Sequence, residues 1–360
     1  MFTRRNVIRV LVSIAVSGAF VALSLRGTDV RAVAAQMLSA DLRGVLGYLA
    51  LLFCVHLVRT VRWGLLLRPL GKVSFFRLNT ATAVGYMLLI LLPLRLGELA
   101  RPLLISRPHR GDGPVLPRSG AFASCVVERI IDGLAIGALG VIALRALGDR
   151  ATGPAAEFAQ RAVWLVTGGF AALCVGVVAI IVLRERAVGL VRRALGRFSV
   201  RLSTRVGGML DTFIGALGVG SGPRLALVLL LTAVHWALHV IGFIWVARGF
   251  GFELTPLQAC AVLATQVVGV MVPAGPGMVG TSQFFAQLGL SIFVPGTFEV
   301  ASVAARAAAF ANTIWLVQTF QQVALGLVFL IAGGVSFSAV LGRAVPATPA
   351  SADGLAGQGS

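Results

Sequence analysis

Long apolar segments, joined by short arginine-rich connections, dominate the pattern of the chain. Such segments occupy residues 7–25, 45–67, 163–183 and 225–246, among others. A helix rises 1.5 Å per residue, so about 20 apolar residues cross the roughly 30 Å hydrocarbon core of a bilayer. The apolar residues do not alternate with polar ones, as they do in the strands of a membrane barrel. The pattern predicts an all-α, polytopic integral membrane protein.

Composition supports a membrane protein and removes several other classes. Of 360 residues, 58% are hydrophobic and 12% are charged, and the charged fraction is about half that of a soluble domain. The net charge is +18, with Lys72 as the single lysine. The arginines flank apolar segments, where they set topology and meet anionic head groups. No basic stripe with interleaved aromatics lies outside these segments, so nucleic acid is not expected as a partner.

The arginine bias of the connections orients the predicted helices. Arg4, Arg5 and Arg9 place the N-terminus in the cytoplasm. Full crossings are predicted at 7–25, 45–67, 120–144, 162–183, 224–247 and 301–333. The first is read as an uncleaved helix, because the small residues that resemble a signal-peptide cleavage site lie far beyond it. The transmembrane domain is thus expected at 1–335 of a cell-membrane protein with both termini cytoplasmic. It includes a basic amphipathic surface segment at 184–222, and 336–360 form a disordered tail.

Two further apolar stretches are interrupted by proline and glycine. The first, 78–106, is broken around Pro93 and Gly97. The basic residues before it have no acid among them, and the four arginines between residues 101 and 118 are opposed by Asp112 alone. This stretch is predicted to be a re-entrant hairpin on the cytoplasmic side, since freed backbone groups need protein or a watery cavity at that depth. The second, 257–294, is predicted to enter from outside. Its breaking residues are Pro273, Gly275, Pro276, Gly277 and Gly280. Each hairpin and its two flanking crossings form one unit, and the two units have inverted orientation. The whole chain is predicted to have about six transmembrane helices. In transporters, paired breaks at matching positions of inverted units indicate the binding site.

Charged residues cluster near the first break. Arg95 and Glu98 lie within it and Arg101 follows. A charge at mid-bilayer costs about 2.5–3.5 kcal/mol on insertion scales, so it normally faces a cavity or a partner. Arg95 either binds a lipid phosphate, helped by exposed amides, or forms an ion pair that closes the hairpin. The two interpretations are compatible.

Three more charges, Glu128, Arg129 and Asp132, lie inside one predicted helix. Arg129 and Asp132 are three residues apart and can pair along it. If that pair forms, Glu128 remains free to pair with Arg95 or Arg101. Either the group is a buried network that fixes the hairpin, or one carboxylate is coupled to protons.

Polar residues of the second half offer weaker candidates. Arg306 either reaches the outer interface or faces the cavity opposite Arg95. His235 and His239 have a metal-binding spacing, but no third ligand lies near them. The four cysteines lie in apolar segments without a paired motif, so neither a metal, a cofactor nor a disulfide is predicted.

Four ordered motifs resemble one known family. They are RTVRW at 59–63, LPLRLGELAR at 92–101, ERIID at 128–132 and PAGPGMVG at 273–280. They are similar to the signatures of the lysylphosphatidylglycerol synthase transmembrane region family, the flippase-like membrane proteins, over about residues 5–335. The chain departs from the family pattern twice. Met278 stands where a glycine is usual, and Gln283 ends a Thr-Ser-Gln run that replaces a common Phe-Glu, so a carboxylate often found there is missing.

The resemblance implies a stand-alone translocase-type domain without the soluble aminoacyltransferase domain of the full-length synthases, and hence no enzyme. It would move an anionic or zwitterionic phospholipid, or a polyprenyl-phosphate-linked lipid, between leaflets. The alternative is a scaffold whose basic face at 184–205 docks a lipid-modifying enzyme or a glycosyltransferase. A third reading is a membrane-embedded transferase that uses Glu128 and Asp132 as acid and base.

Overall fold

The computed structural model describes residues 4–92, 97–107, 115–151, 153–197, 199–217, 222–272 and 274–334. Within these ranges the chain is almost wholly helical and contains no β-strand. The helices are α1 (Arg4–Ser24), α2 (Val30–Leu38), α3 (Leu42–Leu67), α4 (Phe75–Leu91), α5 (Ala100–Ile105), α6 (Arg118–Leu147), α7 (Pro154–Val182), α8 (Arg184–Gly196), α9 (Val200–Leu217), α10 (Gly222–Gly249), α11 (Pro256–Val270), α12 (Thr281–Ser291) and α13 (Ala301–Ala332). The predicted all-α, polytopic architecture is confirmed.

Five helices, α3, α6, α7, α10 and α13, are long and apolar enough to cross a membrane. They match five of the six predicted crossings, whereas the described apolar part of α1, Leu11–Ser24, is shorter. Helix α7 begins at Pro154 rather than near 162. Proline suits a first helical position because it has no amide hydrogen to satisfy, and Glu157 in the first turn complements the helix dipole.

The first broken stretch starts and finishes at one end of the helix bundle. Helices α4 and α5 pack against each other. Leu70, just after α3, lies against Gly120 at the start of α6. One to two turns deeper, Trp63 Nε1 donates to Ser124 Oγ at 3.0 Å. The chain therefore returns to the end from which it left, as the hairpin prediction requires; which side of the membrane this end faces stays a prediction.

The second broken stretch repeats this arrangement at the opposite end. Helices α11 and α12 pack together along their length. The end of α10 meets the start of α13, where the rings of Phe243 and Phe310 have centroids 6.1 Å apart. Helices α3 and α10 run antiparallel, so closely that Gly242 has no room for a side chain beside the Tyr48 ring. The two hairpins therefore enter the bundle from opposite ends.

The two units exchange partners symmetrically. Helix α4 of the first hairpin packs against α13 of the second unit, and α11 of the second hairpin packs against α6 of the first. This reciprocity is what two equivalent units related by a pseudo-two-fold axis predict. The ends of the hairpins also meet, because Ile90 at the end of α4 lies against Gly277 in the second break.

The basic segment 184–222 forms two helices, α8 and α9, which pack against each other, and α9 also packs against α6. The apolar side of α9 thus covers a membrane helix instead of lipid alone. The predicted place of the segment on the membrane surface stays a prediction. Arg184 Nε donates to Asp211 Oδ1 at 2.8 Å, and this hydrogen bond lowers the pKa of Asp211 below its usual value.

Candidate functional site

A cavity of about 450 Å³ lies where the two hairpins meet. Each hairpin contributes to its wall near the break, the first through Glu98 and the second through Met278. The first hairpin also supplies Tyr86 from α4. The other polar and aromatic wall residues come from the long helices: Arg59, Arg129 and Asp132, Phe170, His235 and Trp236, and Gln318 and Gln322. The meeting of the two breaks therefore encloses a polar space inside an apolar bundle, as the paired interruptions predict.

Behind this wall, Arg62 joins α3 to α6. Its guanidinium donates to the two carboxylate oxygens of Asp132 at 2.5 and 2.8 Å, and to Glu128 Oε1 at 3.1 Å. A further hydrogen bond to Thr232 Oγ1, at 3.0 Å, reaches α10. Arg62 and Glu128 are 1% and 2% exposed. Buried charges need such complete pairing, so Arg62 fixes three helices relative to one another.

Arg101 forms the second half of this network. Its Nη1 donates to Glu128 Oε2 at 2.7 Å and to the Tyr86 hydroxyl at 3.2 Å. The guanidinium also stacks over the Trp63 ring, 4.3 Å from its centroid. Glu128 therefore bridges two arginines, and the expectation that Arg101 neutralises an acid of α6 is confirmed.

The predicted pairing of Arg129 with Asp132 along α6 is wrong. Asp132 is held by Arg62, while Arg129 Nη2 lies 3.7 Å from Glu98 Oε1. Residues three apart share one face of a helix, but that face meets α3 and the first hairpin, which offer better partners. Arg129 and Glu98 are each about one-third exposed. Their loose contact ties the first hairpin to α6 at the edge of the cavity.

Arg59 has no counterpart of this kind. No carboxylate in the described ranges lies within ion-pair distance, and its guanidinium sits 4.1 Å from the centroid of the Tyr86 ring. Among the described residues, the charged cluster comprises four arginines, Arg59, Arg62, Arg101 and Arg129, and three carboxylates, Glu98, Glu128 and Asp132. Among these residues one positive charge is left over, and it belongs to Arg59 at the cavity wall. In an apolar bundle this favours a single bound anion.

A smaller chamber of about 160 Å³ adjoins the cavity. The two spaces share Arg59, Tyr86 and Trp236. The chamber adds uncharged polar groups from five helices: His56, His239, Gln266, Ser282 and Gln321. No carboxylate of the described residues lines it. It is therefore a polar extension of the cavity in which Arg59, at the boundary of the two spaces, is the charged group.

On the other side, Trp236 borders an apolar groove of about 640 Å³ between α6 and α10. Thr232 is its other polar residue besides the indole; aliphatic side chains such as Leu134, Ile241 and Ile244 form the rest of its wall, with Cys260 and Pro256. The indole of Trp236 thus separates a hydrocarbon-like surface from a polar space. This is the environment at a membrane interface, reproduced within the bundle.

Most of the backbone of the second break is used in packing. The Gly275 amide donates to Ser17 Oγ of α1 at 2.9 Å, and Trp315 Nε1 donates to the Gly277 carbonyl at 2.7 Å. Gly280 has φ +86 and lies against the backbone of α1. Pro276 begins a short 3₁₀ turn that ends at Met278. Met278 adopts φ +53, a left-handed conformation that suits glycine better.

The remaining predicted site residues divide into two groups. Pro93, Arg95 and Pro273 lie outside the described residues. Gly97 packs directly on the backbone of α4 at Leu89. Arg306 stacks over Phe252, 5.3 Å from the ring centroid, and does not line the cavity, a position that fits the interfacial interpretation.

Two residues of the site, Arg59 and Arg62, belong in sequence to the RTVRW motif and to none of the predicted charge pairs. The signal that identifies them is their position three residues apart in an apolar helix with no acid nearby in sequence. Such arginines must find partners on other helices. His235 and His239 have ring centroids 5.0 Å apart, but in the part of the chain that the structure covers no three candidate ligands gather around a metal position.

Comparison with known proteins places this geometry in context. The family model described as lysylphosphatidylglycerol synthase TM region matches residues 10–320. The glycosyltransferase AglD of Haloferax volcanii is 27% identical over 282 residues, which are 70% of this chain and 43% of AglD. The chain therefore spans less than half the length of that relative. No solved structure matches it.

Proposed function

Because the chain belongs to the lysylphosphatidylglycerol synthase transmembrane region family, we propose that it is a membrane lipid translocase without a reaction of its own. It binds the phosphate of an anionic or zwitterionic phospholipid, or of a polyprenyl-phosphate-linked lipid, and moves it between leaflets. The observation that carries the proposal is Arg59, a cation on the wall of the cavity that no carboxylate of the described residues approaches within ion-pair distance.

The charge of the cluster matches one phosphodiester. A phosphodiester carries a single negative charge, and the cluster of four arginines and three carboxylates has a single positive charge in excess. Guanidinium groups recognise phosphate oxygens with paired, charge-assisted hydrogen bonds. Arg129 adds a second donor at the wall, because its contact with Glu98, at 3.7 Å, is longer than a hydrogen bond.

The apolar groove between α6 and α10 favours a lipid over a soluble anion. A headgroup in the cavity and a hydrocarbon chain in the groove would meet at Trp236, which lines both. The headgroup then stays in polar surroundings, and the hydrocarbon chain stays in apolar ones. A soluble phosphate compound has no hydrocarbon chain to place in such a groove.

The symmetry of the fold supports movement across the bilayer. The two hairpins enter from opposite ends and meet at the cavity, and each packs against the last helix of the other unit. In transporters built from inverted repeats, one unit rocks against the other around a central site. The same headgroup position can thereby open to either leaflet.

The test is lipid movement in vesicles that contain the purified protein. Inward and outward movement of a fluorescent phospholipid is followed by chemical bleaching of the outer leaflet, for the native protein, Arg59→Met and the control Arg306→Met. A hydrogen bond between charged groups contributes about 1.5–3 kcal/mol, so Arg59→Met should slow movement about 10- to 150-fold. Arg306→Met should not slow it, because Arg306 lies outside the cavity. Equal rates for all three proteins would refute the proposal.

A scaffold function is the second candidate, favoured by the arginines Arg184, Arg186, Arg192 and Arg193, all exposed on α8. The relative AglD is named a glycosyltransferase, and an enzyme of that class is the partner to seek. Changing the four arginines to glutamine and comparing the proteins recovered by affinity purification tests this candidate. An unchanged set of recovered proteins counts against it.

A further inference from the structure

The chamber beside the cavity has a chemistry that phosphate binding does not use. Among the described residues, its polar wall consists of amides, imidazoles, an indole and the hydroxyls of Ser282 and Tyr86, with Arg59 as the one charged group. Such groups are costly to bury inside an apolar bundle unless they have hydrogen-bond partners. Some of them do: Gln266 Nε2 donates to Ser282 Oγ at 3.0 Å, and His56 Nε2 lies 3.1 Å from Asn79 Oδ1.

Other polar atoms of the same wall are buried without any partner in the described ranges. They are His235 Nδ1, His239 Nδ1, Trp236 Nε1 and Gln321 Nε2. Folded proteins leave few buried polar groups unsatisfied, and a cluster of four around one space calls for an explanation. A polar ligand that enters the chamber supplies the missing partners after small side-chain rotations.

The composition of the wall narrows the class of that ligand. A cationic headgroup needs a carboxylate, and no carboxylate in the described part of the chain lines the chamber. A hydrocarbon chain would leave the polar atoms unpaired. Hydroxyl groups both donate and accept hydrogen bonds, and the rings of Trp236 and Tyr86 offer flat surfaces to the C–H groups of a sugar. The volume of 160 Å³ is about five times the share of one water molecule in the liquid, which suits a single small ring.

Resting on the proposed function, we infer that the chamber binds a monosaccharide or similar polyol joined directly to the lipid phosphate. Arg59 lines both spaces, so a phosphate bound there has the chamber on one side and the charged cavity on the other. The substrate class is therefore a glycosylated phosphate lipid: the sugar lies in the chamber, the phosphate at Arg59, and the hydrocarbon chain beyond Trp236.

Lipid binding to the purified protein in nanodiscs tests this inference. The probes are a polyprenyl phosphoryl hexose and the same polyprenyl phosphate without the sugar, then phosphatidylinositol and phosphatidylethanolamine. Each probe competes with one fluorescent lipid. The native protein should bind each sugar- or inositol-bearing lipid at least tenfold more tightly than its partner probe. One pair has a polyprenyl chain and the other has diacyl chains, so comparing the pairs shows which kind of lipid carries the sugar.

Substitutions in the chamber should remove this preference and nothing else. Gln321→Met and His239→Phe should bring the two members of each pair within about twofold, while binding of the sugar-free lipid stays as in the native protein. Thr319→Val is the matched control, since Thr319 Oγ1 is also buried without a partner but does not line the chamber. If Gln321→Met weakens every lipid through misfolding, His239→Phe decides.

The possible failures are distinguishable. Equal binding of glycosylated and sugar-free lipids, or preference for phosphatidylethanolamine, would overturn the sugar inference. The proposed function would survive that result if Arg59→Met still weakened every phosphate lipid. If Arg59→Met changed the binding of none of them, both would fall.

Discussion

Replacing Arg62 by methionine should destabilise the folded protein more than any other single change in the cavity region. In the native protein its guanidinium makes three hydrogen bonds to carboxylates and one to Thr232. Methionine has a similar length but no charge. After the change, Glu128 keeps Arg101, whereas Asp132 loses the partner that holds both of its oxygens.

The magnitude follows from burial. Arg62 is 1% exposed, Glu128 2% and Asp132 14%, so water cannot replace the lost partner fully. Removing one member of a buried ion pair typically costs about 3–5 kcal/mol. Changing Asp132 to leucine as well removes the stranded carboxylate. The double variant should therefore lose about 2–3 kcal/mol less than the sum of the two single variants.

Reversible unfolding in mixed micelles, followed by tryptophan fluorescence, measures these differences. Arg59→Met is the contrasting variant. Because Arg59 has no ion pair to lose in the described ranges, the free energy of unfolding of this variant should differ from the native value by less than about 1 kcal/mol. A native-like stability for Arg62→Met, or costs in the double variant that simply add, would refute the role of the network. Equal destabilisation by Arg59→Met and Arg62→Met would contradict the division between a binding and a structural arginine.

Three other predictions concern the second break, the α8–α9 pair and the topology of the first hairpin. Met278→Gly should raise the free energy of unfolding by roughly 0.5–1 kcal/mol, because relief of a left-handed residue exceeds the entropy that glycine adds to the unfolded chain; thermal unfolding measures this. The depressed pKa of Asp211 means that its bond to Arg184 stabilises the α8–α9 pair above the ordinary aspartate pKa of about 3.9 and is lost as the pH falls through the lower, folded-state value. The protection factors of the α8 amides, which correct for the intrinsic pH dependence of exchange, should then fall, and in Asp211→Asn they should not change with pH over that range. In a cysteine-free background, Lys72→Cys and Val115→Cys should react with an impermeant thiol reagent from the same side, whereas labelling from opposite sides would make the first hairpin an ordinary span.

The sequence was sufficient for the architecture because its signals are local. Pro93 and Gly97 in one apolar stretch, and the glycines and prolines after Val272 in another, cannot continue a straight helix. The arginine bias at both ends of the first stretch then requires a return to the same side. The contact of Leu70 with Gly120 bears out the return to one end of the bundle.

The ion pairs were harder to predict from the sequence, because they depend on how the helices rotate and cross. Spacing along α6 suggested that Arg129 pairs with Asp132, but Arg62 on α3 reaches Asp132 first. No pattern within α3 reveals this, since the partners of Arg62 lie on other elements. Arg59 was overlooked for the same reason: a cation that lacks a partner in space looks, in sequence, like any arginine at a helix end.

The two units of the fold contribute unequal chemistry to the site. Every charged residue that lines the cavity or the chamber comes from the first unit, while the second supplies imidazoles, amides and a hydroxyl. Breaking a buried ion pair costs several kcal/mol, but exchanging a neutral hydrogen bond changes the free energy by only about 0.5–1.5 kcal/mol. Within the described ranges no ion pair joins the two units. They are linked by hydrogen bonds such as Gln318 Nε2 to the Tyr48 hydroxyl at 2.6 Å and Arg62 to Thr232, of which only the arginine is charged. We therefore propose that, when the units move against each other during lipid transport, the first unit holds the phosphate in its charge network and the second rearranges around it by exchanging hydrogen bonds.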